Sequence, residues 1–426
     1  IESALNEYEL ERKPVVEIFQ NAAQVSQRYF ETIKRYLGLE PVQFTFQLLT
    51  RSGRISYDDL RLRDPRFGDA VDRWFAQKNG NHHISLAPPP MFAPFELALS
   101  GANGLQALTL PNRVAISLPE GMANEEYLAV ASNYALSGVG LVITGPVAVS
   151  AGGRITPDCA GMYDTRHVSL WTEIVNAVHA SAPAKIGIQL GHAGRRGATR
   201  ARSEGLDRPL RQGSWPLISA SPLPYTPQSQ VPGEMNRGDM DTVCNDFVRA
   251  ARMAQEAGFD LLQLNFARGY LLASFISPLT NLRCDPYGGN LEGRTRYPLE
   301  VFDAVRAAWP ENKPISVALS VSDCVKEGFE VDDAVMLARL LKARGCDILE
   351  VQAGQTTIES EPAYGRGFLT QFSEQVRNEA HIPTMVGGYL TTNNEVNTIL
   401  AAGRADVCIM DVPLLAKDVH EEPLTV

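Results

Sequence analysis

From position 114 onward, short apolar runs alternate with longer amphipathic stretches, and no other feature limits the fold of this chain as strongly. The runs at 114–117, 141–144, 185–190, 261–265, 315–319, 348–352, 384–387 and 407–410 have the length and composition of buried parallel strands. Helical spacing fills the intervals at 125–137, 168–179, 240–257, 298–309, 331–344, 371–379 and 393–402. Several of these helices stop at a glycine before the next strand (Gly138, Gly258, Gly345, Gly403), as a left-handed helix cap requires. Eight strands alternating with helices are the count of a (β/α)8 TIM barrel of the α/β class, whose functional residues sit at the C-terminal ends of the strands. A doubly wound sheet is the competing layout, but no glycine fingerprint follows the first strand.

The 426 residues exceed one typical domain, and the first hundred read differently from the rest. Apolar residues recur at helical spacing over 1–37 (Leu5, Tyr8, Val15, Phe19, Phe30, Ile33, Leu37), interrupted at Pro14, which predicts two helices joined there. Positions 41–75 are mixed and Arg-rich, too small a unit to hold a good core alone. His82-His83 and the Pro88-Pro89-Pro90 run then read as an exposed linker. The expected organisation is a small helical and mixed segment at 1–77, a Pro-rich linker at 78–94 and the barrel at 95–426. The absence of an initial Met and a start in helical pattern imply a piece of a longer polypeptide.

Bulk properties exclude several classes. A net charge of −10 with no basic block argues against a nucleic-acid partner. No apolar run reaches the ~18 residues of a membrane span, and nothing at the start resembles a signal peptide, so a cytoplasmic location with no membrane partner is expected. The six cysteines are scattered without a CxxC or Cys/His cluster, which predicts reduced thiols and no metal site.

One stretch marks the mouth of a site. The apolar run ending at Leu264 breaks into Asn265-Phe266-Ala267-Arg268-Gly269-Tyr270, as a barrel strand does where it opens onto the functional face. A long Arg-, Pro- and Ser-rich insert at 194–235 follows the third strand and reads as a lid or binding loop. Its Arg195, Arg196, Arg200 and Arg202 are candidates for substrate phosphates, Arg195 and Arg196 above all.

These strand ends resemble the Old Yellow Enzyme family of FMN-dependent ene-reductases, in the branch that includes dienoyl-CoA reductases. The carriers are Leu110-Pro111-Asn112-Arg113-Val114, Gly187 to Arg195, Gln263 to Tyr270, and Ser277-Pro278 through Arg296. The resemblance implies that Gln189 meets the pyrimidine edge of a flavin and that Gly387, Gly388 and Arg404 lie around its phosphate. It further implies that Asn265 and Arg268 hold the substrate oxygen, and that Tyr270 orients substrate or donates a proton, making these three the catalytic candidates. Arg283, Asp285, Tyr287, Arg294 and Arg296 have the charge alternation of a loop-bracing network.

The chain departs from the family's pattern at the flavin. Ala318 stands where the family has an arginine beside the reduced ring, Ser117-Leu118-Pro119-Glu120 lacks the usual Pro-Met, and Asp411-Val412 replaces the Gly-Arg that grips the phosphate. A carboxylate about 4 Å from a phosphate costs a few kcal/mol at an effective dielectric near 20. A lost arginine removes roughly another 1.5–3 kcal/mol. The expectation is a barrel that has lost FMN.

The opening residues, Ala4-Leu5-Asn6-Glu7-Tyr8-Glu9 with Arg12 and Pro14, are similar to the last helices of class A flavoprotein aromatic hydroxylases. A hydroxylase remnant ahead of such a barrel resembles 2-aminobenzoyl-CoA monooxygenase/reductase and the salicylyl-CoA 5-hydroxylase fusions. That arrangement implies an FAD in an upstream hydroxylase domain, NAD(P)H as reductant, an aromatic acyl-CoA substrate with 2-aminobenzoyl-CoA favoured, and a homodimer. Two alternatives stay open: a non-catalytic barrel kept for dimerisation or for holding the CoA tail, and a working FMN-dependent ene-reductase.

Overall fold

The structure of the protein is a computed structural model that describes residues 2–80, 87–99, 107–120, 125–205 and 207–411. His82-His83 and Val412 lie outside the described residues. The contacts divide the chain into two units, one of residues 1–93 with 392–404 and one of residues 94–391 with 405 onward.

The larger unit is the barrel that the alternation predicts. Strands β1 (Val114–Ser117), β2 (Leu141–Ala148), β3 (Lys185–Gly191), β4 (Leu261–Phe266), β5 (Ile315–Ser320), β6 (Ile348–Gln352), β7 (Thr384–Val386) and β8 (Val407–Met410) close in parallel, with β8 beside β1. Helices Glu125–Leu136, Thr165–Ser181, Arg237–Glu256, Leu291–Ala308, Val331–Ala343 and Thr370–Ala380 connect them. The glycines after three of these helices have φ between +88° and +94° (Gly138, Gly258, Gly345), the conformation expected of a helix stop.

Some elements escaped the periodicity. An antiparallel pair, Phe95–Ala98 with Ala107–Leu110, precedes β1, and its Phe95, Leu97 and Leu110 pack against Leu141, Leu261, Ile348 and Val407 at the strand beginnings. This pair floors the barrel with apolar side chains and leaves the polar interior to the opposite end. A short helix, Leu271–Ile276, follows β4. The expected bracing network is present: Arg283 donates to Ala220 O at 3.0 Å and Met235 O at 2.8 Å, and Arg294 donates to Ile276 O at 2.8 Å.

The smaller unit corrects three expectations. A single helix, α1 (Glu2–Glu31), runs through position 14 instead of two joined there, since one proline removes only one backbone bond from a helix of 30 residues. On it Leu5, Tyr8, Leu10 and Phe19 are each more than half exposed. Positions 41–75 form helices α2 (Pro41–Thr50), α3 (Tyr57–Arg63) and most of α4 (Pro65–Lys78). The Pro-rich stretch does not end as an exposed linker: Met91 is fully buried and its N–H donates to Asn397 Oδ1 at 2.9 Å.

This unit obtains its core by taking a helix from far along the chain. Phe46, Tyr57, Leu60 and Val71 pack with Ala401 and Ala402 of helix Asn393–Ala402, which fills the barrel's last strand–helix repeat in sequence but clusters with the N-terminal helices in space. Tyr57 N–H donates to Thr398 Oγ1 at 2.9 Å and Arg404 Nη2 to Thr50 O at 3.0 Å. No helix among the described residues is long and apolar enough to cross a membrane. Phe46 is 1% exposed at the centre of this core. Phe46→Ala is expected to remove about 3–5 kcal/mol from the unit, read as an earlier thermal unfolding transition.

Candidate active site

The upper half of the barrel interior is polar because the inward faces of the strands are. Leu261 belongs to the apolar floor, so Gln263 and Asn265, two and four residues on, share its face higher in the barrel. The same alternation on β6 carries Ile348, Glu350 and Gln352. These groups meet. Gln189 Nε2 donates to Gln263 Oε1 at 2.6 Å, Asn265 Nδ2 donates to Gln189 Oε1 at 2.8 Å, and Gln263 Nε2 donates to Ser316 Oγ at 3.2 Å. Asn265 Oδ1 accepts from Ala267 N–H at 2.9 Å. Gln189 and Asn265, both singled out from the sequence, are thus brought together and bonded to each other.

Glu350 is the residue that sequence reasoning missed. Its carboxyl is 3% exposed, Oε1 accepts from Gln352 Nε2, and Oε2 meets no donor in hydrogen-bond geometry among the described residues. Burial holds it above the ordinary carboxylate range, opposed by the Arg268 charge and by the nearby amides of Gln352 and Gln263. Its register partner on β5 is Ala318, so a methyl group stands opposite the acid where an arginine was expected from the family's pattern. The signal was in the sequence: a glutamate two residues after an inward Ile348 in a short strand must face the barrel.

The turn after β4 is built from two successive left-handed residues, Arg268 at φ +58° and Gly269 at φ +65°. A Cβ at Gly269 would lie 2.8 Å from Thr356 O, so only glycine fits beneath the loop after β6. Arg268 N–H donates to Ser320 Oγ at 3.0 Å, tying the turn to β5.

Arg195 and Arg196 knit the insert to these turns. Arg196 donates to Asp207 Oδ2 at 2.8 Å, Arg268 O at 2.5 Å and Gln355 O at 3.2 Å, and its guanidinium lies 4.2 Å from the Tyr225 ring centroid and 5.4 Å from that of Tyr270. Arg195 donates to Thr356 O at 2.7 Å and Leu223 O at 3.3 Å, and burial lowers it to about 10. Both side chains are buried, and the bonds they make brace the insert against the loops after β4 and β6.

Tyr270 is 6% exposed and its hydroxyl is pushed upward, chiefly by burial, so it holds its proton at neutral pH. With Cys159, His192, Pro146 and Ile155 it lines a cavity of about 10 Å³, room for one water. The remaining candidates lie elsewhere: Gly387 and Gly388 at the end of β7, and Arg404 in the smaller unit against Thr50. Asp411 follows β8, its N–H donating to Leu390 O at 3.0 Å.

His192 is fully buried and lowered by desolvation to about 4, while its Nδ1 accepts from Gly194 N–H at 3.1 Å, a role for the neutral ring. The unfolded chain therefore binds the extra proton between the ordinary value near 6.5 and about 4. Stability from this residue is complete above pH ~6.5 and is lost as pH falls toward 4, by up to about 3 kcal/mol. His192→Asn keeps an acceptor for Gly194, and denaturant titrations from pH 7 to 4 should show a shallower loss of stability in that variant.

The family described as NADH:flavin oxidoreductase / NADH oxidase matches residues 105–419. NADPH dehydrogenase of Geobacillus sp. (strain WCH70) is 33% identical over 319 residues, 73% of this chain and 88% of the relative. That of Bacillus subtilis (strain 168) is 31% identical over 319 residues, 73% of this chain and 89% of the relative. The fold is also that of morphinone reductase (TM-score 0.63, 23% identity, 80% of this chain and 92% of that one). A 2-naphthoyl-CoA reductase in complex with 2-naphthoyl-CoA aligns with TM-score 0.67 at 19% identity over 78% of this chain, which spans only 52% of that protein. With its closed parallel barrel, its strand-end residues and these relatives, the chain belongs to the NADH:flavin oxidoreductase / NADH oxidase family, the Old Yellow Enzyme-type oxidoreductases that use NAD(P)H and a flavin, typically FMN.

Proposed function

We propose that this chain is the C-terminal part of a bifunctional flavin- and NAD(P)H-dependent aromatic acyl-CoA monooxygenase/reductase, with 2-aminobenzoyl-CoA the favoured substrate, and that its barrel does not hold an FMN of its own. The observation that carries the second half is the acid–methyl pair on β5 and β6. Ala318 offers no positive charge to a reduced flavin ring, and its neighbour Glu350 presents a buried carboxyl with one oxygen that meets no donor in hydrogen-bond geometry among the described residues. Gln189, which would meet the pyrimidine edge, already has its amide nitrogen and oxygen engaged by Gln263 and Asn265. Arg404, expected near the phosphate, donates to Thr50, and the acid Asp411 follows β8. An FMN phosphate carries nearly two negative charges at neutral pH, so these residues do not fit it.

The first half rests on the segment ahead of the matched family region, residues 1–104, and on its likeness to the last helices of aromatic hydroxylases. In this reading the hydroxylase module lies upstream with its FAD, and reducing equivalents reach the dearomatised product from that module or from NAD(P)H directly. The barrel's own groups then bind and orient: Tyr270 retains a proton for transfer, and Arg268 supplies the positive charge beside Glu350. A 2-naphthoyl-CoA reductase that shares this fold was solved in complex with 2-naphthoyl-CoA, which supports an acyl-CoA substrate here.

A second reading, a working FMN-dependent NADPH dehydrogenase or ene-reductase, is favoured by the 33% identity to the Geobacillus enzyme over 88% of its length. Heat release of the non-covalent flavin from the purified protein, with chromatographic identification, separates the two. No FMN is expected, and one equivalent per chain would establish the second reading. Ala318→Arg combined with Asp411→Gly and Val412→Arg is expected to confer measurable affinity for added FMN, followed by quenching of flavin fluorescence. Oxygen- and NAD(P)H-dependent turnover of 2-aminobenzoyl-CoA by the whole polypeptide tests the substrate assignment.

A further inference from the structure

Three aromatic rings outside the polar network gather at the C-terminal end of β7. Tyr364 and Phe368 come from the segment after β6, and Tyr389 from the turn after β7. Their centroids are separated by 5.3 Å (Tyr364–Phe368, edge-on), 6.4 Å (Tyr364–Tyr389, edge-on) and 6.2 Å (Phe368–Tyr389, tilted). Phe368 is half-buried beneath the other two, whereas Tyr364 and Tyr389 remain 54% and 50% exposed.

The backbone is arranged to hold these rings where they are. Gly388 has φ +97°, and a Cβ there would lie 3.0 Å from the Phe368 ring. Gly367 N–H donates to Gly388 O at 2.7 Å, locking the two loops together. Tyr389 itself sits at φ +59°, a conformation that a bulky residue rarely adopts. Such strain persists when surrounding structure over-determines it and concentrates at ligand-binding positions. A fold seeking only stability would place glycine or asparagine at 389 and bury the rings.

We propose that Tyr364 and Tyr389, seated on Phe368, form a stacking platform for a purine ring, the adenine that a CoA thioester and NAD(P)H both carry. The platform stands on the strand-end face where the barrel's site opens, so it can hold the nucleotide end of a ligand whose reactive end enters the mouth. Stacking on tyrosine uses the π-face of the base and needs no charge, which suits a rim of exposed rings. Only the identity of the molecule supplying the adenine rests on the function proposed above.

Calorimetric titration of the protein with adenosine 3′,5′-bisphosphate, the nucleotide end of CoA, and with 2′-phospho-ADP-ribose, that of NADPH, tests the platform and its source together. At least one fragment should bind. Tyr364→Ala and Tyr389→Gly should each weaken it by about tenfold, while Tyr389→Trp retains it. Tyr389→Gly also relieves the left-handed strain, so lost binding in that variant reports the ring and not misfolding. Binding of the NADPH fragment alone would support the platform and count against the acyl-CoA reading. No binding by the wild type, or equal binding by all variants, would overturn the platform even if acyl-CoA turnover persists. Loss of a dimer in Tyr364→Ala and Tyr389→Gly with nucleotide binding unchanged would overturn it in favour of a second copy of this chain as the occupant.

Discussion

Closing eight parallel strands makes an interior with no room for bulk water, so every polar side chain placed inside must find its partner there. The chain meets this constraint by layering. Leu141, Leu261, Ile348 and Val407 fill the lower barrel with the antiparallel pair beneath them, and amides fill the upper half by bonding one another. Gln189, Gln263 and Asn265 each use their neighbours as both donor and acceptor, which is why amides and not charged groups dominate this level. The exception is Glu350. With Ala318 as its cross-strand neighbour, its second oxygen is left to the low dielectric of the interior, and the positive charge that reaches it comes from Arg268.

The same economy of partners shapes the mouth. Arg195 and Arg196 are buried beside aromatic rings and donate to carbonyls of the loops after β4 and β6, and Arg196 also to Asp207. They act as internal braces of the insert, and the left-handed pair Arg268–Gly269 brings the carbonyl of Arg268 to the brace. A rigid mouth of this kind places Tyr270 and His192 against a water-sized cavity with little freedom to drift. The rings of Tyr364 and Tyr389 stay exposed on the same face.

The smaller unit shows a second consequence of scale. Three helices of seven to fourteen residues cannot by themselves enclose Phe46 and Tyr57, and helix Asn393–Ala402 supplies the missing wall through Ala401 and Ala402. Small side chains there permit close approach, and Arg404 at the end of that helix satisfies the last carbonyl of α2. The smaller unit therefore draws on residues 392–404 as well as on residues 1–93.

What the sequence by itself determined is the barrel and its polarity. Strand and helix periods differ, glycine stops are local, and residues two apart share a face of a strand, so strand count, order and the positions of Gln189, Asn265, Arg268 and Tyr270 were legible without a structure. Partnership was not legible, because it depends on residues far apart in the chain. Only the tertiary structure decided that Arg195 and Arg196 face carbonyls, that Arg404 meets Thr50, that Glu350 stands opposite Ala318, and that helix Asn393–Ala402 completes the core of another unit. Local spacing sets the direction of a side chain, but what waits at its end is set by how the strands close.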